Sequence, residues 1–461
     1  MRQPNNKLRT ALRAVTAGLL LAGAQAMAAI PIQHWTQPSG AKVYLVESPS
    51  IPMVDVQMDF DAGTRRDPAD KAGLARVTAG MTSKGIAAAR TPGSGAYDAA
   101  LDENQLGEAW ADLGAVFGAS AGNDRMSFSL RSLNYPDLLG KALQLGARQL
   151  ADPSFPDAVW QRERQRLAAA IREANTKPAT IAGHAYAAAV YGGHPYGFET
   201  KEESLARITV EDMQQAYRRQ VEPCRAKVSI VGAVTRPQAD AMVTTLLSRL
   251  PAATTGRCEP LAPVAEVAPL TAPLVREIPF ASAQAHVLMG QPGYKRSDPD
   301  HFALLVGNYT LGGGGFVSRL TEEVREKRGL SYSVYSYFAP GLHAGAFTIG
   351  LQTRPDQTAQ AVQVSRDVLA RFVADGPTPA ELQAAKDNLI GGFPLLIDSN
   401  RKLLDNVANI AWHNLPLDYL DTWTRQVERI TAADIKAAFA RKLQPQRMVT
   451  ITVGAVAAGQ Q

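Results

Sequence analysis

Apolar residues at Phe316, Leu320 and Val324 recur at every fourth position with charges between them, the period of an amphipathic helix. The spacing predicts a helix that Gly329 ends in the left-handed conformation. The run Tyr332-Ser-Val-Tyr-Ser-Tyr-Phe338 then alternates with period two and is rich in aromatic and β-branched residues, which predicts a strand opened by Tyr332. Arg325 falls in the last helical turn, so a guanidinium and a phenol are held on either side of one turn. Taken alone, this is also how a helix C-terminus that favours cations, followed by a core tyrosine, reads.

The pattern of helix and strand occurs twice. Arg207-Ile-Thr-Val-Glu-Asp-Met-Gln-Gln-Ala-Tyr217 returns as Arg429-Ile-Thr-Ala-Ala-Asp-Ile-Lys-Ala-Ala-Phe439, and Val231-Gly-Ala-Val234 returns as Val453-Gly-Ala-Val456 at the same offset of 222. Each copy predicts a Thr-capped helix, a short turn and a β-branched strand ending in glycine. Upstream, Arg65-Arg-Asp-Pro68 is echoed by Arg296-Ser-Asp-Pro299, each between a strand-like run and an apolar helix. The chain therefore divides into two homologous α+β halves, 29–250 and 274–461. The stretch 251–273, rich in Ala, Pro and Thr and without periodicity, joins them as a linker.

The first 28 residues belong to neither half. Arg2, Lys7, Arg9 and Arg13 form a basic segment, residues 14–23 an apolar core, and Ala26-Met27-Ala28 a cleavage signature, so 1–28 is expected to be a secretory signal peptide. No other stretch is apolar enough for a transmembrane span. The leader carries four uncompensated positive charges, so the formal net charge falls from +5 to about +1 on its removal, and no nucleic-acid partner is implied. At 46% hydrophobic and 20% charged residues the remainder is ordinary globular material. An exported protein is expected in the periplasm, where Cys224 and Cys258 can pair; the sequence leaves open whether they do.

The stretch from 311 to 332 carries a resemblance. Leu-Gly-Gly-Gly-Gly-Phe-Val-Ser-Arg-Leu followed by Arg325-Glu-Lys-Arg-Gly-Leu-Ser-Tyr332 resembles the C-terminal half of the insulinase/pitrilysin, or inverted-zincin, peptidases. The resemblance implies a clamshell of two α/β-roll halves. It also implies that Arg325 and Tyr332 reach toward a substrate backbone beside zinc, with Gly312, Gly313, Gly314 and Gly315 as a closely approached loop that admits a peptide. A phosphate-loop reading of these glycines fails for lack of the following Lys-Ser/Thr.

The zinc half is degenerate. Where the family carries His-x-x-Glu-His, this chain reads Gly73-Leu-Ala-Arg76-Val-Thr-Ala79-Gly80-Met81, and where the third ligand stands it has Ala170. Arg76, Ala79, Gly80 and Ala170 offer no lone pair to a cation at neutral pH. Glu163 is retained, and Glu173 lies one turn beyond Ala170, but one carboxylate does not rebuild a site. No two of the seven histidines have the i, i+4 spacing of a helical metal pair, and His194 reads as part of a turn. No metal is expected on this chain.

These features imply a zinc-less subunit of a heteromeric metallopeptidase. It would present Arg325 and Tyr332 to peptide substrates beside a zinc-bearing sister subunit. A non-catalytic scaffold or a peptide-binding chaperone on the same fold is the alternative.

Overall fold

The computed structural model describes residues 30–90, 96–251 and 258–454. The expected leader lies outside these residues, as does 252–257 within the expected linker.

The first half contains β1 (Gln33–Thr36), β2 (Lys42–Glu47) and β3 (Met53–Phe60), then the short strands β4 (Gly85–Ile86), β5 (Ala89–Arg90), β6 (Tyr97–Asp98) and β7 (Leu101–Asp102). β8 (Val116–Ala121), β9 (Met126–Leu133) and β10 (Lys227–Gly232) complete it. The second half contains β11 (Leu274–Ile278), β12 (Ala285–Tyr294), β13 (Val334–Phe338), β14 (Gly345–Thr353) and β15 (Val449–Val453). Two large sheets result, ordered β1-β2-β10-β3-β9-β8 and β11-β15-β12-β14-β13. Apart from the extra edge strand β1 the order is the same. In each sheet one pair is parallel, β2 with β10 and β11 with β15, and the other neighbours are antiparallel.

The repeat fixes this likeness locally. Helices Val210–Gln220 and Ala432–Lys442 both begin with a capping box, in which Thr209 and Thr431 accept from the backbone N–H of Asp212 and Asp434 at 3.1 Å. Each helix delivers the chain to the strand that pairs in parallel with β2 in the first half, β10, or with β11 in the second, β15.

A further pair of equivalent helices is exchanged between the halves. Pro178–Tyr191 and Asn400–His413 stand at the same offset of 222, and each ends at a residue with positive φ, Gly192 at 55° and Asn414 at 51°. Pro178–Tyr191 packs Ala182, Tyr186 and Val190 on Val449, Ile451 and Val453 of the second sheet. The Tyr186 hydroxyl donates to the Phe347 carbonyl at 2.8 Å. Asn400–His413 lies in return on β2, β3 and β10 of the first sheet. There Lys227 Nζ donates to the Ala411 and Trp412 carbonyls at 2.8 and 2.9 Å, capping the helix C-terminus. Burial, with Lys42 nearby, pushes this ammonium down to about 8.

The exchange covers both faces of the central strands. β10 is buried throughout except at Lys227, and β15 is buried along its whole length. A strand covered on both faces buries the positions on both, and this holds even for Ser229 in β10 and for Thr450 and Thr452 in the otherwise apolar Val-Thr-Ile-Thr-Val of β15. Each fully buried Val or Ile contributes about 1.5–3 kcal/mol.

The described part of the linker, 258–273, has no regular secondary structure. Cys258 forms a disulfide with Cys224, Cα atoms 5.6 Å apart, which closes the alternative that the sequence left open. Arg66 donates to the Ala262 carbonyl at 2.9 Å, and Glu266 pairs with Lys295 at 2.6 Å, so the linker is pinned first to one half and then to the other.

Candidate functional site

Helix His301–Asn308 begins the element that leads to Arg325 and Tyr332. It widens into a π-turn, Tyr309–Gly313, in which Gly314 N–H reaches the Tyr309 carbonyl at 2.8 Å. A side chain at Gly312 would meet Ser336 Oγ at 2.4 Å, one at Gly313 Asn308 Nδ2 at 2.7 Å, and one at Gly314 the Tyr309 carbonyl at 2.6 Å. The close approach expected of this loop is therefore made by its own chain. Gly315 differs: the space beside it is open, and its φ of +61° is what requires glycine.

After the turn Gly315–Val317, Arg319 bolts the segment down through a bidentate pair with Glu381, 2.6 Å on each arm. A second π-segment follows at Thr321–Glu326, with Thr321, Leu320 and Val324 buried. Gly329, at φ +61°, ends it and donates to the Arg325 carbonyl at 2.8 Å. The expected helical stripe is thus broken at one place. Phe316 lies in the preceding turn and is 73% exposed, while Leu320 and Val324 are fully buried. Tyr332 likewise does not open the strand; it stands two residues before β13, on backbone held by Ser331 Oγ, which donates to the Ser333 and Gln352 carbonyls at 2.7 Å.

The structure brings Arg325, Tyr332 and Phe316 together. The Arg325 guanidinium carbon is 4.8 Å from the ring centroid of Phe316 and 4.8 Å from that of Tyr332, a cation between two aromatic faces. Its Nε is 3.2 Å from Glu326 Oε1. Tyr332 is 81% exposed, and its hydroxyl has no hydrogen-bond partner among the described residues. Tyr335 and Tyr337 extend the aromatic surface along β13, rings 6.1 Å apart. Phe316 is the member that periodicity hid. Its signal was the glycine run before it, which leaves no helix to bury it.

The degenerate metal positions lie in the other half, on helix Leu74–Met81. The Asp67 carboxylate starts this helix by accepting from Gly73 and Ala75 N–H at 2.9 and 3.0 Å, and burial pushes its carboxyl up to about 7. Ala79 is buried, while Arg76 and Gly80 face outward. Ala170 lies on helix Asp157–Ala174, and it lines with Arg76 a cavity of about 420 Å³. Glu163 is engaged with Arg166 at 2.8 Å, and Glu173 with Lys177 at 3.0 Å out in solvent. The residues present do not fit zinc. Among the described residues the cluster with metal-ligand spacing is Glu222, Cys224 and Cys258, whose two sulfurs are bonded to each other. His194 caps the turn Pro195–Gly197, accepting from Tyr196 N–H at 3.1 Å.

Comparison with known proteins bears on this arrangement. Residues 207–389 match the family model described as the peptidase M16 inactive domain. An uncharacterized zinc protease of Streptomyces coelicolor is 30% identical over 238 residues, 51% of each chain, so this chain spans about half the length of that relative. An uncharacterized zinc protease of Mycobacterium tuberculosis is 26% identical over 435 residues, 93% of this chain and 94% of the relative. The crystal structure of a peptidase M16 inactive domain from Pseudomonas fluorescens superimposes with a TM-score of 0.85 at 32% identity, covering 93% of this chain and all of that one.

Proposed function

This chain belongs to the peptidase M16 family, and from that premise we propose that it is an exported, zinc-less subunit that works beside a zinc-bearing sister chain in peptide-bond hydrolysis. The observation that carries the reading is an imbalance. The four metal positions hold Arg76, Ala79, Gly80 and Ala170, which cannot ligate, whereas Arg325 and Tyr332 stand assembled on a rigid support with the phenol hydroxyl free.

In this reading the sister subunit contributes metal and general base. Tyr332 donates a hydrogen bond to the scissile carbonyl oxygen as it becomes negative, a group preorganised for the transition state. Arg325 meets a backbone carbonyl of the substrate and fixes its register. The two flanking rings restrict the guanidinium's rotamers before substrate arrives. The leader-like segment 1–28 supports a periplasmic site of action.

The test mixes the mature chain with a sister subunit bearing His-x-x-Glu-His and follows a quenched fluorogenic peptide. Cleavage is expected in the mixture and in neither component alone. Tyr332→Phe should lower kcat by roughly 10²–10³, the cost of one oxyanion donor, with association intact. Arg325→Ala should in addition raise KM. Unchanged cleavage by both variants in a correctly assembled complex would make the non-catalytic scaffold or peptide-binding chaperone the better reading.

A further inference from the structure

The cavity beside the lost metal positions has the chemistry of a ligand site in its own right. It lies between helices Leu74–Met81, Asp157–Ala174 and Pro178–Tyr191, is open to solvent on one side, and has a volume of about 420 Å³. That volume falls within the usual range for small-molecule sites. Its walls are mainly apolar, with Val77, Leu167, Ile171 and Phe198 among them, and Ala170 leaves room that a longer side chain would take.

The charges around it are unevenly answered. Glu199 lines the cavity but is engaged by His184 Nδ1 at 2.7 Å and approached by Lys201 at 3.8 Å. Arg76 also lines it, yet makes no hydrogen bond or ion pair among the described residues; its charge acts on the buried carboxyl of Asp67. An apolar cavity edged by a guanidinium that makes no hydrogen bond among the described residues complements a molecule with an apolar body and a single anionic end.

We propose that the cavity between these three helices binds a small apolar carboxylate, its hydrocarbon against Val77, Leu167 and Ile171 and its charge on Arg76. Two sources share that chemistry, a free medium-chain acid and the C-terminal residue of an apolar peptide. The site is independent of the peptidase reading, because it is measured on this chain alone, without sister subunit or cleavage.

Calorimetric titration of the full mature chain tests it with octanoate, octanol, acetyl-Ala-Ala-Phe with a free carboxylate, and the same peptide as its amide. One octanoate per chain is expected to bind, at least tenfold more tightly than octanol. Arg76→Gln should weaken octanoate about tenfold or more, and Ala170→Phe should abolish binding by filling the space. Both positions face outward, so far-UV circular dichroism and Tm should match the parent. Tighter binding of the free-acid peptide than of octanoate, lost in the amide, would support the site and identify a peptide terminus as its source. The converse order supports it with a free acid as the source. Octanoate no tighter than octanol, or equal binding to parent, Arg76→Gln and Ala170→Phe, overturns the proposal.

Discussion

Arg325 spends its charge on two aromatic faces, and one of them belongs to a residue with no other evident task. Phe316 is largely exposed and caps the guanidinium from the side opposite Tyr332. Exposed cation–π contacts contribute about 0.5–1 kcal/mol. Phe316→Ala in the reconstituted complex should therefore change kcat/KM by roughly two- to fivefold, mostly through KM, with Tm unchanged; a loss of Tm would instead mark Phe316 as a packing residue. The zinc positions make the opposite case. The mature chain alone, dialysed against zinc, should retain well under one equivalent by elemental analysis, and Arg76→His should not restore it, because ligand count governs affinity. Stoichiometric zinc would sink this. At this scale the sequence placed Arg325 and Tyr332 on either side of one turn, and the structure brings their side chains into contact. The sequence was illegible where backbone geometry decides. Periodicity placed Phe316 with Leu320 and Val324 on one stripe, but a π-segment turns with an extra residue, and its glycine-rich lead-in has no helical face to share.

At the scale of elements, two half-buried histidines sit at helix ends. His301 opens helix His301–Asn308, with Nδ1 3.0 Å from the Tyr294 hydroxyl, and His413 closes the exchanged helix Asn400–His413. Burial, then the Arg296 charge, pushes His301 down to about 3 and His413 down to about 4. In the unfolded chain both take up a proton near pH 6.5. Between pH 6.5 and these lower values the unfolded state binds more protons, so the histidines' contribution is complete above pH 6.5 and lost as the pH falls toward 4 for His413 and toward 3 for His301. The slope approaches about 1.4 kcal/mol per pH unit per histidine. The double variant His301→Gln, His413→Gln should flatten the fall of Tm over that window; an unchanged profile would show that neither is buried neutral. Elements were the most legible level. Thr209 and Thr431 announced their helices because a hydroxyl three residues before a carboxylate satisfies two backbone donors at once. The strand of Tyr332 began two residues late, since boundaries depend on pairing with β14 rather than on alternation.

At the scale of the molecule, the repeat predicts two halves, and apart from the edge strand β1 the two large sheets share one strand order. The exchanged helices were not foreseen, because a helix reads alike whichever sheet it covers. Pro178–Tyr191 and Asn400–His413 give each half part of its core from the other, and this predicts one cooperative unit. Residues 29–250 expressed alone should show an expanded, dye-binding state, and co-expression with 251–461 should restore a single sharp thermal transition. Two independent transitions in the intact chain would contradict it.

The same exchange sets an order on folding. The first sheet is complete as a hydrogen-bonded ladder once β10 has emerged, yet Tyr44, Val46 and Val231 wait for Asn400–His413 to cover them. A chain exported unfolded meets this order only after it has crossed the membrane, so the first sheet keeps one apolar face bare until residues 400–413 reach it.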